Sequence, residues 1–380
     1  MMMEEGEMKS LMVVWSTVLG CLCYCHAIDK LLLLPKPKPT ITRALSLIPV
    51  ACLFIVLPLN LHSITLGATS SFFIAWLASF KLLLFAFGDG PLASSPPLPL
   101  SSFILLACLP IKFQSLQEPS SSSQPKKARR SSVNHLTKFM LMVILFRVYN
   151  YQQYIHRNLL LFCYGLHIYL SLELMLVAIA AAVKAATGME VEAPFDEPYL
   201  ATSLQDFWGR RWNLMVTGIL RPAVYAPVKS ASGRVLPVEW AAAAAAVMAT
   251  FLVSGVMHEL IFYNVGRVRP SGEVLGFFLL HGACLGVEIG VKKWLKGSGR
   301  FWVPGFVSGP LALCFVILTS FWLFFPPLLK NKGDVKACCE FLAFVESVKH
   351  HTLVSPNNIT CPFFSSRDVK NSSPNLNTPY

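Results

Sequence analysis

Charge is what this chain has least of: Asp, Glu, Lys and Arg supply only 14% of its 380 residues. Soluble domains carry about 25%, so a water-facing surface of ordinary extent is excluded. Catalytic signatures of several large classes are missing too. There is no Gly-rich phosphate loop, no G-x-S-x-G elbow and no H-E-x-x-H, because His258-Glu259 lacks the second histidine. Nucleotide hydrolysis, serine-hydrolase chemistry and zinc-protease chemistry therefore have no support. The 11 cysteines show no metal-ligand spacing. Most lie in apolar runs (Cys52, Cys108, Cys163, Cys284, Cys314), where a thiol behaves as a small hydrophobe. Cys21, Cys23 and Cys25 alternate around a helix, so packing explains them better than ligation, and no metal site is expected.

What is present is hydrocarbon: 54% apolar residues and a mean hydropathy of +0.55. In a bilayer the backbone has no water to bond with, so apolar stretches of about 20 residues close their hydrogen bonds as helices. Such runs occupy Leu11 to Ile28, Ala44 to Leu59, Ile64 to Phe87, Asn158 to Ala182, Val238 to Asn264, Glu273 to Val291 and Phe306 to Leu329. Phe139 to Tyr149 is a weaker span flanked by Lys138 and Arg147. The pattern predicts an all-α, polytopic transmembrane bundle of about eight spans. Ser101 to Ile111 is too short to cross and reads as re-entrant or interfacial. Met1 to Glu7 is acidic, so the first run is expected to stay as a span rather than act as a secretory signal.

The net charge of +12 belongs to the gaps between spans, as the positive-inside rule requires, and points to the bilayer rather than to nucleic acid. Residues 1–353 are expected to form the membrane domain and 354–380 a disordered polar tail. Within the domain, 112–138 reads as a flexible basic cytosolic loop around Ser120 to Gln124, and 188–237 as an ordered cytosolic or interfacial segment. Cys338 and Cys339 are candidates for lipidation after the last span. Asn358-Ile-Thr and Asn371-Ser-Ser are glycosylation acceptors if the tail is lumenal. An even span count places it there, whereas Lys330, Lys332 and Lys336 argue for the cytosol.

Read as a helix, Asp206 to Asn213 and its continuation put Asp206, Arg210, Asn213 and Thr217 on one stripe and Trp208, Trp212, Met215 and Ile219 on another. That is an amphipathic interfacial helix, which Pro222 ends or kinks after Arg221. His258 falls at membrane depth, with Ser254 one turn before it and Gly255 leaving room for substrate or for another backbone. A neutral imidazole there suits a general base, but a histidine bonded between helices fits as well. Phe277, His281, Cys284 and Glu288 recur along one face of the next span. They line the same cavity, or form a polar seam in which Glu288 pairs with Lys292. Arg210, Arg211, Arg221, Lys229 and Arg234 suit donor phosphates and positive-inside bias alike.

Four segments in this order, Thr202-Ser-Leu-Gln-Asp-Phe-Trp-Gly-Arg-Arg-Trp-Asn213, Arg221-Pro-Ala-Val-Tyr225, Ser254-Gly-Val-Met-His-Glu-Leu-Ile-Phe-Tyr263 and Phe277-Phe-Leu-Leu-His-Gly282, closely resemble the plant wax synthase group of the membrane-bound O-acyltransferase superfamily. The resemblance implies acyl transfer from acyl-CoA to a long-chain alcohol, or to a sterol as some relatives do. By this resemblance His258 would match the catalytic histidine and Asn213 its partner. Asp206, Trp208, Arg210, Arg211, Trp212, Ser254, His281 and Glu288 are the candidate substrate contacts that the residues themselves offer. Arg210 stands where the sterol and diacylglycerol acyltransferases have aspartate. No tightly bound cofactor is implied, and the endoplasmic reticulum membrane is the expected location. A lipid transporter or inactive scaffold is the non-enzymatic alternative, though the two halves show no repeat of the kind transporters carry.

Overall fold

The computed structural model describes residues 2–32, 41–94, 97–111, 124–188, 191–297, 303–330, 333–350 and 354–361. Among these there is no strand. Twelve helices carry the argument: α1 Met2–Leu32, α2 Ile41–Val56, α3 Ile64–Ala86, α4 Leu100–Cys108, α5 Gln124–Tyr149, α6 Arg157–Thr187, α7 Leu214–Leu220, α8 Ala226–Ser232, α9 Glu239–Gly266, α10 Glu273–Gly297, α11 Gly305–Lys330 and α12 Gly333–His350. Among the described residues seven helices, α1, α2, α3, α6, α9, α10 and α11, are long and apolar enough to cross a membrane. They coincide with the seven clear apolar runs.

The weaker span is the C-terminal half of α5, whose N-terminal half is polar. Part of the segment read as an unfolded basic loop is thus helix from Gln124 onward, while 112–123, including most of the Ser120 to Gln124 stretch, lies outside the described residues. Lys138 explains how a polar helix docks: its Nζ donates to Glu173 of α6 at 2.5 Å, both side chains being buried. The short Ser101 to Ile111 run is α4, packed among α1, α2 and α3. Its last carbonyls, Leu106 and Leu109, accept from the buried ammonium of Lys81 on α3, a cation at the negative end of a helix dipole.

Contacts sort the helix ends into two faces. At one, Arg43 pairs with Asp29, Lys293 with Glu239, and Lys292 reaches Ser203 and Gln205. This is the basic face, and it carries the 191–238 segment. At the other, Glu7 accepts from the His62 and Ser63 amides, Arg267 donates to the Leu59 and Leu61 carbonyls, and Lys330 pairs with Glu273. Glu340 of α12 accepts from Ser63 Oγ and from the Ile64 and Thr65 amides, capping α3 with an anion.

α9 and α10 pack most intimately. A Cβ on Gly255 would meet Leu275 Cδ1 at 2.7 Å and Phe278 Cβ at 3.2 Å, so the space beside this glycine belongs to α10 and not to a substrate. Gly282, Gly286 and Gly290 return the arrangement from α10, facing Phe251, Ala244 and Trp240. Small residues at four-residue spacing let membrane helices approach closely. Cys338, a lipidation candidate, is instead bonded to Cys361, while Cys339 is free. The tail expected to be disordered from Val354 is therefore tied back as far as Cys361, and Asn371 lies outside the described residues.

Candidate active site

α9 carries His258 two turns before its C-terminal end, and the ring's orientation follows from the helix itself. Nδ1 donates to the Ser254 carbonyl one turn earlier at 2.7 Å. In a neutral imidazole this bond fixes the proton on Nδ1 and leaves the lone pair on Nε2. Phe278 of α10 packs on the ring at 4.3 Å between centroids, and Trp76 of α3 meets it edge-on at 4.9 Å. Glu259, its sequence neighbour, turns away and accepts from the Leu275 amide at the start of α10.

Asn213 reaches the same space by a different route. The helix expected to run unbroken from Asp206 through Asn213 is interrupted: a turn at Leu204–Asp206 passes into a π-helical Phe207–Arg211, Trp212 is extended, and Asn213 adopts φ +41° before α7 begins. Asparagine tolerates the left-handed region better than most residues. Its Oδ1 accepts from the Val216 amide at 3.2 Å, so it is also the N-cap of α7. Pro222 does not end the helical path; a π-helical Arg221–Tyr225 carries it into α8.

A cavity of about 700 Å³ is lined by His258, Asn213, Trp208, Arg210, Trp212 and Ser254, all singled out from sequence. It extends from Arg210 and Arg221 toward the basic face, past His258, to Ala68 and Leu328 toward the opposite face. Its walls are mostly apolar, with Phe72, Trp76, Phe251, Phe262, Phe278 and Phe324 among them. A second recess of about 540 Å³ adjoins it, sharing Arg221 and Tyr225 and adding Lys229 and Arg234.

Four candidate residues do not line the cavity. Arg211 donates to Asp206 at 2.7 Å and to the Asp196 and Glu197 carbonyls, which locks the break before Asn213. Burial alone would raise the Asp206 carboxyl, but bonds from Arg211 and Thr202 hold it below the usual carboxylate range. Glu288 pairs with Lys292 and accepts from the Gln205 amide. His281 is fully buried: Nδ1 accepts from Trp208 Nε1 at 3.1 Å, leaving Nε2 to donate to Thr319 Oγ1 at 2.8 Å. The stripe Phe277, His281, Cys284, Glu288 thus faces α11 and the 204–208 turn, while Phe278, Leu285 and Ile289, one position on, face the cavity. His281 touches the cavity only through Trp208. Sequence reasoning missed Trp76, whose buried Nε1 has no hydrogen-bond partner among the described residues; nothing local to α3 marks it as a neighbour of His258.

These features define a polytopic helical membrane protein that keeps an imidazole at the wall of a largely apolar chamber. Residues 191–280 match the family model described as "Membrane bound O-acyl transferase family". The chain is 43% identical over 337 residues to acyl-CoA–sterol O-acyltransferase 1 of Arabidopsis thaliana, covering 88% of this chain and 95% of that protein. It is 41% identical over 342 residues to the long-chain-alcohol O-fatty-acyltransferase of Simmondsia chinensis, covering 89% and 94%. Probable long-chain-alcohol O-fatty-acyltransferase 1 of Arabidopsis thaliana is 43% identical over 352 residues, covering 92% and 99%. The chain belongs to the membrane bound O-acyl transferase family, in its wax synthase-like group, and is an integral membrane protein.

Proposed function

We propose that the cavity transfers a fatty acyl group from acyl-CoA to the hydroxyl of a long-chain alcohol, yielding a wax ester and free coenzyme A, in the endoplasmic reticulum membrane. The observation that carries this reading is the Nδ1 bond of His258 to the Ser254 carbonyl, on a side chain that lines an apolar cavity shared with Asn213. Nε2 takes the hydroxyl proton as the alcohol oxygen attacks the thioester carbonyl. The C–S bond then breaks, and the departing thiolate recovers that proton from the imidazolium. Asn213 supplies an amide donor to the charge that develops on the carbonyl oxygen. Trp208, Arg210, Trp212 and Ser254 contact the substrates, while Asp206, Arg211, His281 and Glu288 position those residues. The cations Arg221, Lys229 and Arg234 suit the phosphates of a coenzyme A held at the basic, cytosolic face. Apolar walls accept the two hydrocarbon chains and keep out water that would hydrolyse the thioester.

A second reading keeps this machinery and changes the acceptor to a sterol, which the 43% identity to acyl-CoA–sterol O-acyltransferase 1 favours. Microsomes given labelled acyl-CoA with a long-chain alcohol, and separately with a sterol, distinguish the two. His258→Ala at equal abundance is expected to lower ester formation about 10²- to 10⁴-fold, the usual contribution of a general base. Turnover near wild type in that variant removes the base from the scheme. No thioester-dependent product with either acceptor returns the protein to the transporter or scaffold reading.

A further inference from the structure

Beyond α12 the chain turns back on itself. Cys338 and Cys361 form a disulfide across 23 residues, and Cys361 is buried. The Val354 amide donates to Ser347 Oγ of α12, so the returning strand of chain is anchored at both ends. Between these anchors a turn at Pro356–Asn358 leaves Asn358 and Thr360 exposed.

Structural disulfides persist on the oxidising side of a membrane and are rare on the cytosolic side. The helix-end contacts independently put this loop opposite the basic face, because Glu340 of the same helix caps α3 at the end where Glu7, Arg267 and Glu273 meet. Of the cations there, Arg267 and Lys330 are already engaged by the Leu59 and Leu61 carbonyls and by Glu273, leaving Arg269, Lys336 and Lys349 against the larger basic set on the other face. With Arg210, Arg221, Lys229 and Arg234 on the other face, positive-inside orientation places α12 in the lumen.

We infer that Asn358, in Asn358-Ile359-Thr360, is an N-glycosylation site on a lumenal, disulfide-closed cap. Asn358 Nδ2 forms a bond to C1 of an oligosaccharide donated by a lipid pyrophosphate. The C1–O bond to the pyrophosphate breaks, the lipid pyrophosphate leaves, and the amide gives up one proton to the transferring enzyme. In the cap itself two thiols yield two electrons and two protons to a lumenal disulfide exchanger, which becomes a dithiol.

The test is the electrophoretic mobility of the full-length protein made in eukaryotic microsomes, with and without peptide N-glycosidase. Asn371-Ser372-Ser373 is a second acceptor motif on the same side, so every variant is made in an Asn371→Gln background. In that background the expected result is one enzyme-sensitive step that is lost on adding Asn358→Gln or Thr360→Ala but kept on adding Thr360→Ser. No glycosidase-sensitive step in Asn371→Gln alone overturns the proposal, as does a step that survives Asn358→Gln in that background. Thr360→Ser separates loss of the acceptor from misfolding, since it preserves both the hydroxyl and the loop.

Discussion

Asn213 is asked to do two things, to turn the chain at φ +41° and to present an amide to the cavity, and substitution can separate them. Glycine keeps the left-handed backbone without strain and costs only a few tenths of a kcal/mol as an N-cap. Alanine pays both, about 0.5–2 kcal/mol for the cap and about 1–3 for the backbone. Asn213→Gly is therefore expected to keep near-normal thermal stability in detergent while losing roughly 10²-fold in turnover, as removal of an oxyanion donor does. Asn213→Ala should lose both. Full activity in the glycine variant confines Asn213 to a cap. From sequence His258 and Asn213 were legible as polar residues where polarity is costly or patterned. The positive φ was not, because a continuous helix accounts for the same stripe of Asp206, Arg210, Asn213 and Thr217.

At the scale of elements, the spans were readable because hydrocarbon permits so few backbone solutions, and α4 was readable as too short to cross. The C-terminal half of α5 was readable as apolar, but its N-terminal half was not readable as helix, since its polarity resembles that of a loop. The sequence left the face of α10 open between cavity wall and polar seam, and the structure shows the seam: the polar stripe faces α11, Glu288 pairs with Lys292, and the cavity takes the adjacent Phe278. That places weight on Gly255, which lets α10 bring Phe278 against the His258 ring. Gly255→Val forces the two helices apart at an overpacking cost of about 1–3 kcal/mol. It is expected to lower both detergent thermostability and turnover, whereas Gly276→Ala, with nothing within 4 Å of its added carbon, should change neither. Equal behaviour of the two variants in a melting and activity assay counts against close packing as the source of the geometry.

Across the whole molecule, charge is divided between faces while the cavity passes between them. A soluble anionic donor is best met where Arg221, Lys229 and Arg234 gather, and a greasy acceptor can approach through hydrocarbon. Replacing these three with alanine should raise the KM for acyl-CoA about tenfold or more, equal to about 1.4 kcal/mol, with the acceptor KM unchanged. The salt dependence of the donor KM should flatten as well. A rise in the acceptor KM instead would assign the recess to the other substrate. The sequence left the side of the C-terminal segment open because its lysines and the span parity disagreed. Pairing in three dimensions, Lys330 with Glu273 and Cys338 with Cys361, is what the proposed lumenal placement rests on.

The Glu340 latch on Ser63, Ile64 and Thr65 joins partners 275 to 277 residues apart. During synthesis the ribosome delivers α3 long before the carboxylate that caps it, so the early helices wait in the bilayer with those amides open. A message truncated ahead of codon 340 would yield a chain whose cavity wall from α3, Trp76 included, is never fastened, and surveillance proteases would meet it in that unlatched form.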